Sequence, residues 1–137
     1  MTLEDTESNY VQGDTNKINK HSFVKNFYLG VAYFKEKQYD LALEKLLEAN
    51  KLFQYYQLHY NIALCYMKKN KLEEAAIYFE GVITKSPNFF FAYYNLIKIC
   101  LMKQDLIQAY VNYKKLSDVK LLNIISFYSL SKEKMIR

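Results

Sequence analysis

The chain has 137 residues, of which 51% are hydrophobic and 24% charged, with a formal net charge of +5, 14 Tyr, 9 Phe, 3 Gly and 1 Pro. That length suffices for one domain with its own core, without help from metal or disulfide, and so few Gly and Pro argue for helices over turn-rich β structure. No apolar run approaches the ~20 residues of a membrane span. The start MTLEDTESNY is acidic where a secretory leader is basic and apolar, so the expected location is cytoplasmic, with Cys65 and Cys100 as reduced, buried thiols.

Residues 1–22 carry Glu4, Asp5, Glu7 and Asp14 against Lys17 and Lys20, are rich in Thr, Ser and Asn, and show no sustained apolar period, the pattern of a flexible polar tail. Residues 23–55 contain two apolar-periodic segments around a Lys-rich turn. Residues 56–89 repeat this more regularly. Ile62, Tyr66 and Met67 share one helical face, and Ala75, Phe79, Val82 and Ile83 recur at three- and four-residue steps after the turn Lys69-Asn70-Lys71. Pro87 then ends the second helix.

Residues 90–117 form a third pair, with Tyr93, Leu96, Ala109 and Tyr113 in phase, and Ile97 bulky where Gly30 and Ala63 stand earlier. The quartets Phe27-Tyr28-Leu29-Gly30, Tyr60-Asn61-Ile62-Ala63, Tyr94-Asn95-Leu96-Ile97 and Tyr128-Ser129-Leu130-Ser131 recur at intervals of 33, 34 and 34 residues, which makes 118–137 a half-repeat. A lone final helix is how repeat arrays cover their open end. About seven helices are expected from Phe23 onward.

The spacing His59, Ile62, Ala63, Tyr66, Ala75, Phe79 and Pro87 resembles the tetratricopeptide repeat, whose pattern is W-x2-L-G-x2-Y…A-x3-F…P, with His for Trp and Ala for Gly. Gly30, Tyr33 and Ala42 match it in the first repeat. The resemblance implies an all-α, right-handed α-solenoid of helix–turn–helix repeats at 23–55, 56–89 and 90–117, closed by a capping helix at 118–137.

Catalysis needs a nucleophile with its base, or paired carboxylates, in one cleft. The chain has only His21, in the tail, and His59, at an aromatic packing position, while Gly13, Gly30 and Gly81 are too isolated to cradle phosphate. A non-enzyme is expected, with no cofactor and no metal. Lysines at 35, 37, 68, 69, 71 and 103 gather at the turns, but with Arg137 the sole arginine a nucleic-acid role is disfavoured.

In the family, first helices line a concave surface that receives a protein partner's peptide or helix. The resemblance assigns to it Phe27, Tyr60, Asn61, Leu64, Phe91, Tyr94, Asn95, Lys98 and Tyr128. Relatives that hold a chaperone's C-terminal carboxylate use a clamp of Lys, Asn, Asn, Lys and Arg. Here only Asn61 matches, which argues against that ligand. The function expected is a scaffold or adaptor binding a protein or peptide. The alternatives are a self-associating scaffold joined through the C-terminal helix and a regulatory subunit of a larger complex.

Overall fold

The computed structural model describes the backbone of residues 3–136 and the side chains of residues 14–121 and 123. Six α-helices and no strand occur among the described residues: α1 (Leu3–Lys35), α2 (Tyr39–Leu52), α3 (Tyr56–Lys68), α4 (Leu72–Lys85), α5 (Phe90–Met102) and α6 (Leu106–Ile136). The structure departs from the sequence reading in two places, the second of which makes the count six rather than seven. The backbone of residues 3–22, expected to be irregular, forms the larger part of α1, which has no proline to interrupt it. The boundary expected at 117–118 is absent, because α6 runs through it. In the 34-residue register Leu121 occupies the place of Pro87, so nothing stops the helix there.

The chain divides into two compact units, Met1–Lys71 and Leu72–Arg137. In the first, α1 packs on α2 and both pack on α3. Ala42, Leu46 and Ala49 of α2 and Leu58, Ile62, Ala63 and Cys65 of α3 are buried, the three- and four-residue steps of a core-facing stripe. Gly30 fixes how closely α1 and α2 approach. A Cβ there would lie 2.6 Å from Cδ2 and Cγ of Leu46 and 3.3 Å from the Ala42 carbonyl oxygen. In the second unit α5 packs against α4 and α6, burying Ala75, Phe79 and Val82 with Tyr93, Leu96, Ile99, Ala109 and Leu116.

Each first helix ends the same way. Lys37, Asn70 and Gln104 adopt φ of 60°, 59° and 60°, and the residue after each donates its N–H back to Tyr33, Tyr66 and Cys100 respectively, at 2.9 Å in all three. This is the 6→1 bond of a Schellman close, which satisfies carbonyls the helix end leaves open. The turns are also stitched alike. Lys69, capping α3, ion-pairs with Asp40 in the first turn of α2, and Lys103, capping α5, with Glu73 in the first turn of α4 at 3.1 Å.

His59 is half-buried, with its Nε2 2.9 Å from Asn50 Oδ1, a link from α3 to α2 that gives it the structural role its position suggested. Cys65 and Cys100 are buried free thiols, and burial pushes the Cys65 thiol up to about 11, partly opposed by the Lys69 charge. Asn112, the only buried polar residue among the described ones, directs its amide Nδ2 at Cys100 Sγ, 3.6 Å away. None of the helices among the described residues is long and apolar enough to cross a membrane.

Candidate functional site

In the first unit the face of α1 that carries Asn16, Lys20, Phe23 and Phe27 runs past the α2–α3 connection. Phe53 and Tyr55 of that connection enclose Phe23, with ring centroids 5.5 and 5.4 Å away in edge-on geometry, and Phe23 stacks on Phe27 at 6.0 Å. Aromatic pairs prefer such edge-on and offset arrangements. Two clefts share this cluster. One, of about 330 Å³, is lined by Phe23, Phe27, Tyr55, Gln57 and Leu58. The other, of about 490 Å³, is lined by Asn16, Lys17, Lys20, Phe23, Val24, Phe53 and Tyr55. The first is an apolar slot, and the second adds two ammonium groups at its rim.

Of the residues expected at the site, Phe27 lines the apolar cleft, while Tyr60, Asn61 and Leu64 lie half-buried along α3. In the second unit Phe91, Tyr94 and Lys98 form an exposed stripe on α5 at three- and four-residue steps, Phe91 and Tyr94 being 65% and 66% exposed. Phe89 meets Phe91 edge-on at 5.8 Å. Asn61 and Asn95 occupy matching positions. Each donates through Nδ2 to the carbonyl four residues earlier, Gln57 and Phe91, at 2.8 Å. One N–H of each amide thereby serves its own helix, which reduces what the pair can offer a peptide. The side chain of Tyr128 lies outside the described residues.

Phe23, Phe53, Tyr55, Lys17 and Lys20 were not among the expected residues. The interval from Phe23 to Phe27 is one helical turn, and extending that face backward to Lys20 and Asn16 is the signal that would have found the cleft. Two of the turn lysines, Lys69 and Lys103, are engaged by carboxylates, leaving those turns less basic than a count of their residues implies.

Residues 56–89 match the family model of the tetratricopeptide repeat. A comparison with curated proteins gave no match. Among solved structures the fold is similar to that of MamA, with a TM-score of 0.72 and 22% identity over 74% of this chain, which spans 60% of that one. It is similar to the second tetratricopeptide domain of Spaghetti (RPAP3) bound to the HSP90 peptide SRMEEVD, at TM-score 0.68 and 19% identity, over 77% of this chain and 98% of that one. It is also similar to PcrH in complex with the chaperone binding region of PopB, at TM-score 0.66 and 14% identity, over 72% and 81% of the two chains. This chain therefore carries a tetratricopeptide repeat at 56–89 and has an all-α, tetratricopeptide-like fold.

Proposed function

We propose that the chain is a non-enzymatic protein-interaction scaffold built on repeats at 23–55, 56–89 and 90–117. Its partner-binding surface is the first helix of each repeat: Phe27 on α1, Tyr60, Asn61 and Leu64 on α3, Phe91, Tyr94, Asn95 and Lys98 on α5, with Tyr128 in the C-terminal segment. The observation that carries this is on α5, where Tyr93, Leu96 and Ile99 supply the core while Phe91 and Tyr94 remain in water. Exposed aromatics beyond what the core uses mark interaction surfaces, and Tyr and Phe are enriched at interface cores. The peptide-bound RPAP3 and PcrH structures lend support.

A random peptide library displayed on phage and selected on the immobilised protein tests this, with the enriched peptide then titrated against Phe27→Ala and Tyr94→Ala. Each variant should weaken binding about tenfold, the loss that accompanies ~1.4 kcal/mol at an aromatic contact. Failure to enrich any peptide, or unchanged affinity in both variants, rejects the reading. Replacing Lys68, Lys69 and Lys71 by Gln should leave that affinity nearly unchanged. A large loss there would favour an electrostatic adaptor.

A second reading, self-association through the C-terminal helix, is favoured by a different observation: Leu106, Ile107, Tyr110 and Tyr113 of α6 are all more than half exposed.

A further inference from the structure

α2 and α4 each pack against the first helix of the repeat that follows, α3 and α5. On α2 the positions Leu43 and Leu46 are buried, and on α4 Phe79 is completely so. In the repeat register the same positions on α6 are Tyr110 and Tyr113, which are 64% and 58% exposed. α6 has no following helix. Its one packing partner among the described elements is α5, and that contact uses Ala109, Asn112 and Leu116, which are buried. The position that holds the ion-pairing carboxylate in earlier repeats, Asp40 and Glu73, is Ile107 on α6. The open face of α6 therefore presents Leu106, Ile107, Tyr110 and Tyr113 over its first two turns, with the exposed Lys114 and Ser117 continuing it, and has the register of a seat for a first helix.

The chain also contains the sequence pattern of one further first helix. The quartet Tyr128-Ser129-Leu130-Ser131 continues the register of Tyr94-Asn95-Leu96-Ile97, so the segment after Lys120 has the sequence pattern of the helix that covers such a face. To reach its own face it would have to turn back where α4 turns into α5, at Ser86-Pro87-Asn88-Phe89. The corresponding residues are Lys120-Leu121-Leu122-Asn123, without proline or glycine, and the backbone there is continuous helix. Lys120 still reaches Phe90 at the start of α5, its Nζ 5.9 Å from the ring centroid. Beyond it, α6 projects past the end of α5 by more than the 13 residues of α3 or α5.

We propose that the occupant of the α6 face is the projecting half of α6 from a second copy of this chain, exchanged reciprocally to give a closed dimer. Exchange of an identical element forms the contact that a folded-back cap would form within one chain, which makes it a low-cost route to a dimer. The missing turn at 120–123 selects exchange over folding back. The exchange rests on the self-association reading and specifies its geometry.

The test uses full-length chains and light scattering coupled to size exclusion, with circular dichroism to confirm native helicity. The wild type should have twice the mass of one chain. A face variant, Tyr110→Glu with Tyr113→Glu, and a donor variant, Phe127→Glu with Leu130→Glu, should each be monomeric. An equimolar mixture should recover a dimer, because the intact donor of one meets the intact face of the other. Replacing Lys120–Asn123 by Ser-Pro-Asn-Phe should restore the turn and convert the dimer to a folded monomer. A wild-type monomer at all concentrations overturns both self-association and the exchange. A wild-type dimer whose variants do not recover on mixing, or a mass that grows without limit with concentration, keeps self-association and overturns the closed exchange.

Discussion

Gly30→Ala isolates the closest helix–helix approach in the first unit. In an isolated helix the change is favourable by about 1 kcal/mol, because glycine is the poorer helix former. Here the added methyl would sit 2.6 Å from two carbons of Leu46, one of them Cγ, and 3.3 Å from the backbone oxygen of Ala42. Leu46 is fully buried among its neighbours, so its side chain cannot swing aside into solvent, and the oxygen belongs to the α2 backbone. α1 and α2 must separate or Leu46 must leave its rotamer, an overpacking cost of about 1–3 kcal/mol. Two contacts below any ordinary carbon–carbon distance put the cost at the upper end, so a net destabilisation of about 1–2 kcal/mol is expected. Urea denaturation followed by circular dichroism at 222 nm measures it as a lowered midpoint with an unchanged slope. Adding Leu46→Ala to Gly30→Ala should cost less than Leu46→Ala costs the wild type, since the new methyl fills part of the space vacated. A Gly30→Ala protein as stable as the wild type, or more so, would refute the claim that glycine is held by packing.

Ala63→Leu should destabilise by roughly 1–3 kcal/mol and Ala32→Leu by far less, because Ala63 is buried and Ala32 exposed; equal denaturation midpoints would contradict the register. Lys37→Gly and Gln104→Gly should each raise stability by up to about 1 kcal/mol, since both positions have φ near 60° and only glycine adopts it without a Cβ clash; a loss of stability would mean the side chains matter more than the backbone. The Asp40 carboxyl is held below its usual 3.8 by the hydrogen bond and charge of Lys69, and Glu73 below its usual 4.5 chiefly by its hydrogen bond to Lys103. A carboxylate depressed in the folded state stabilises above its unfolded pKa, and that contribution is lost as pH falls through the folded value. Asp40→Asn and Glu73→Gln should therefore lower the melting temperature slightly at pH 7 and leave no difference once the solution is well below those values; a difference that persists at low pH would assign the effect to something other than the ion pairs.

Much of the fold was legible because packing demands recur at a fixed interval. Gly30 and Ala63 are small and buried one repeat apart, and Ala42, Ala75 and Ala109 recur as buried positions on the second helices. Helix continuity was less legible. Residues 3–22 show no amphipathic period, so the polar run reads as irregular structure although no proline breaks it. In α6 the repeat period puts a boundary between Ser117 and Asp118, whereas Leu121 at the place of Pro87 lets the helix continue. At the candidate site the faces of α3 and α5 followed from register alone. The cluster around Phe23 did not, because it depends on Phe53 and Tyr55, residues of a connection whose path is set by tertiary packing. The back-bonding of Asn61 and Asn95 is a choice of rotamer that spacing does not reveal.

The central claim, that first-helix faces bind a partner's peptide, is tested most directly by two-dimensional amide NMR of the full-length protein titrated with the selected peptide. Shift changes are expected to concentrate at Phe27 and its neighbours on α1, Tyr60 and Leu64 on α3, and Phe91, Tyr94 and Lys98 on α5, with α2 and α4 little affected. Changes centred instead on the turn lysines Lys68, Lys69 and Lys71, or spread along α4, would contradict it.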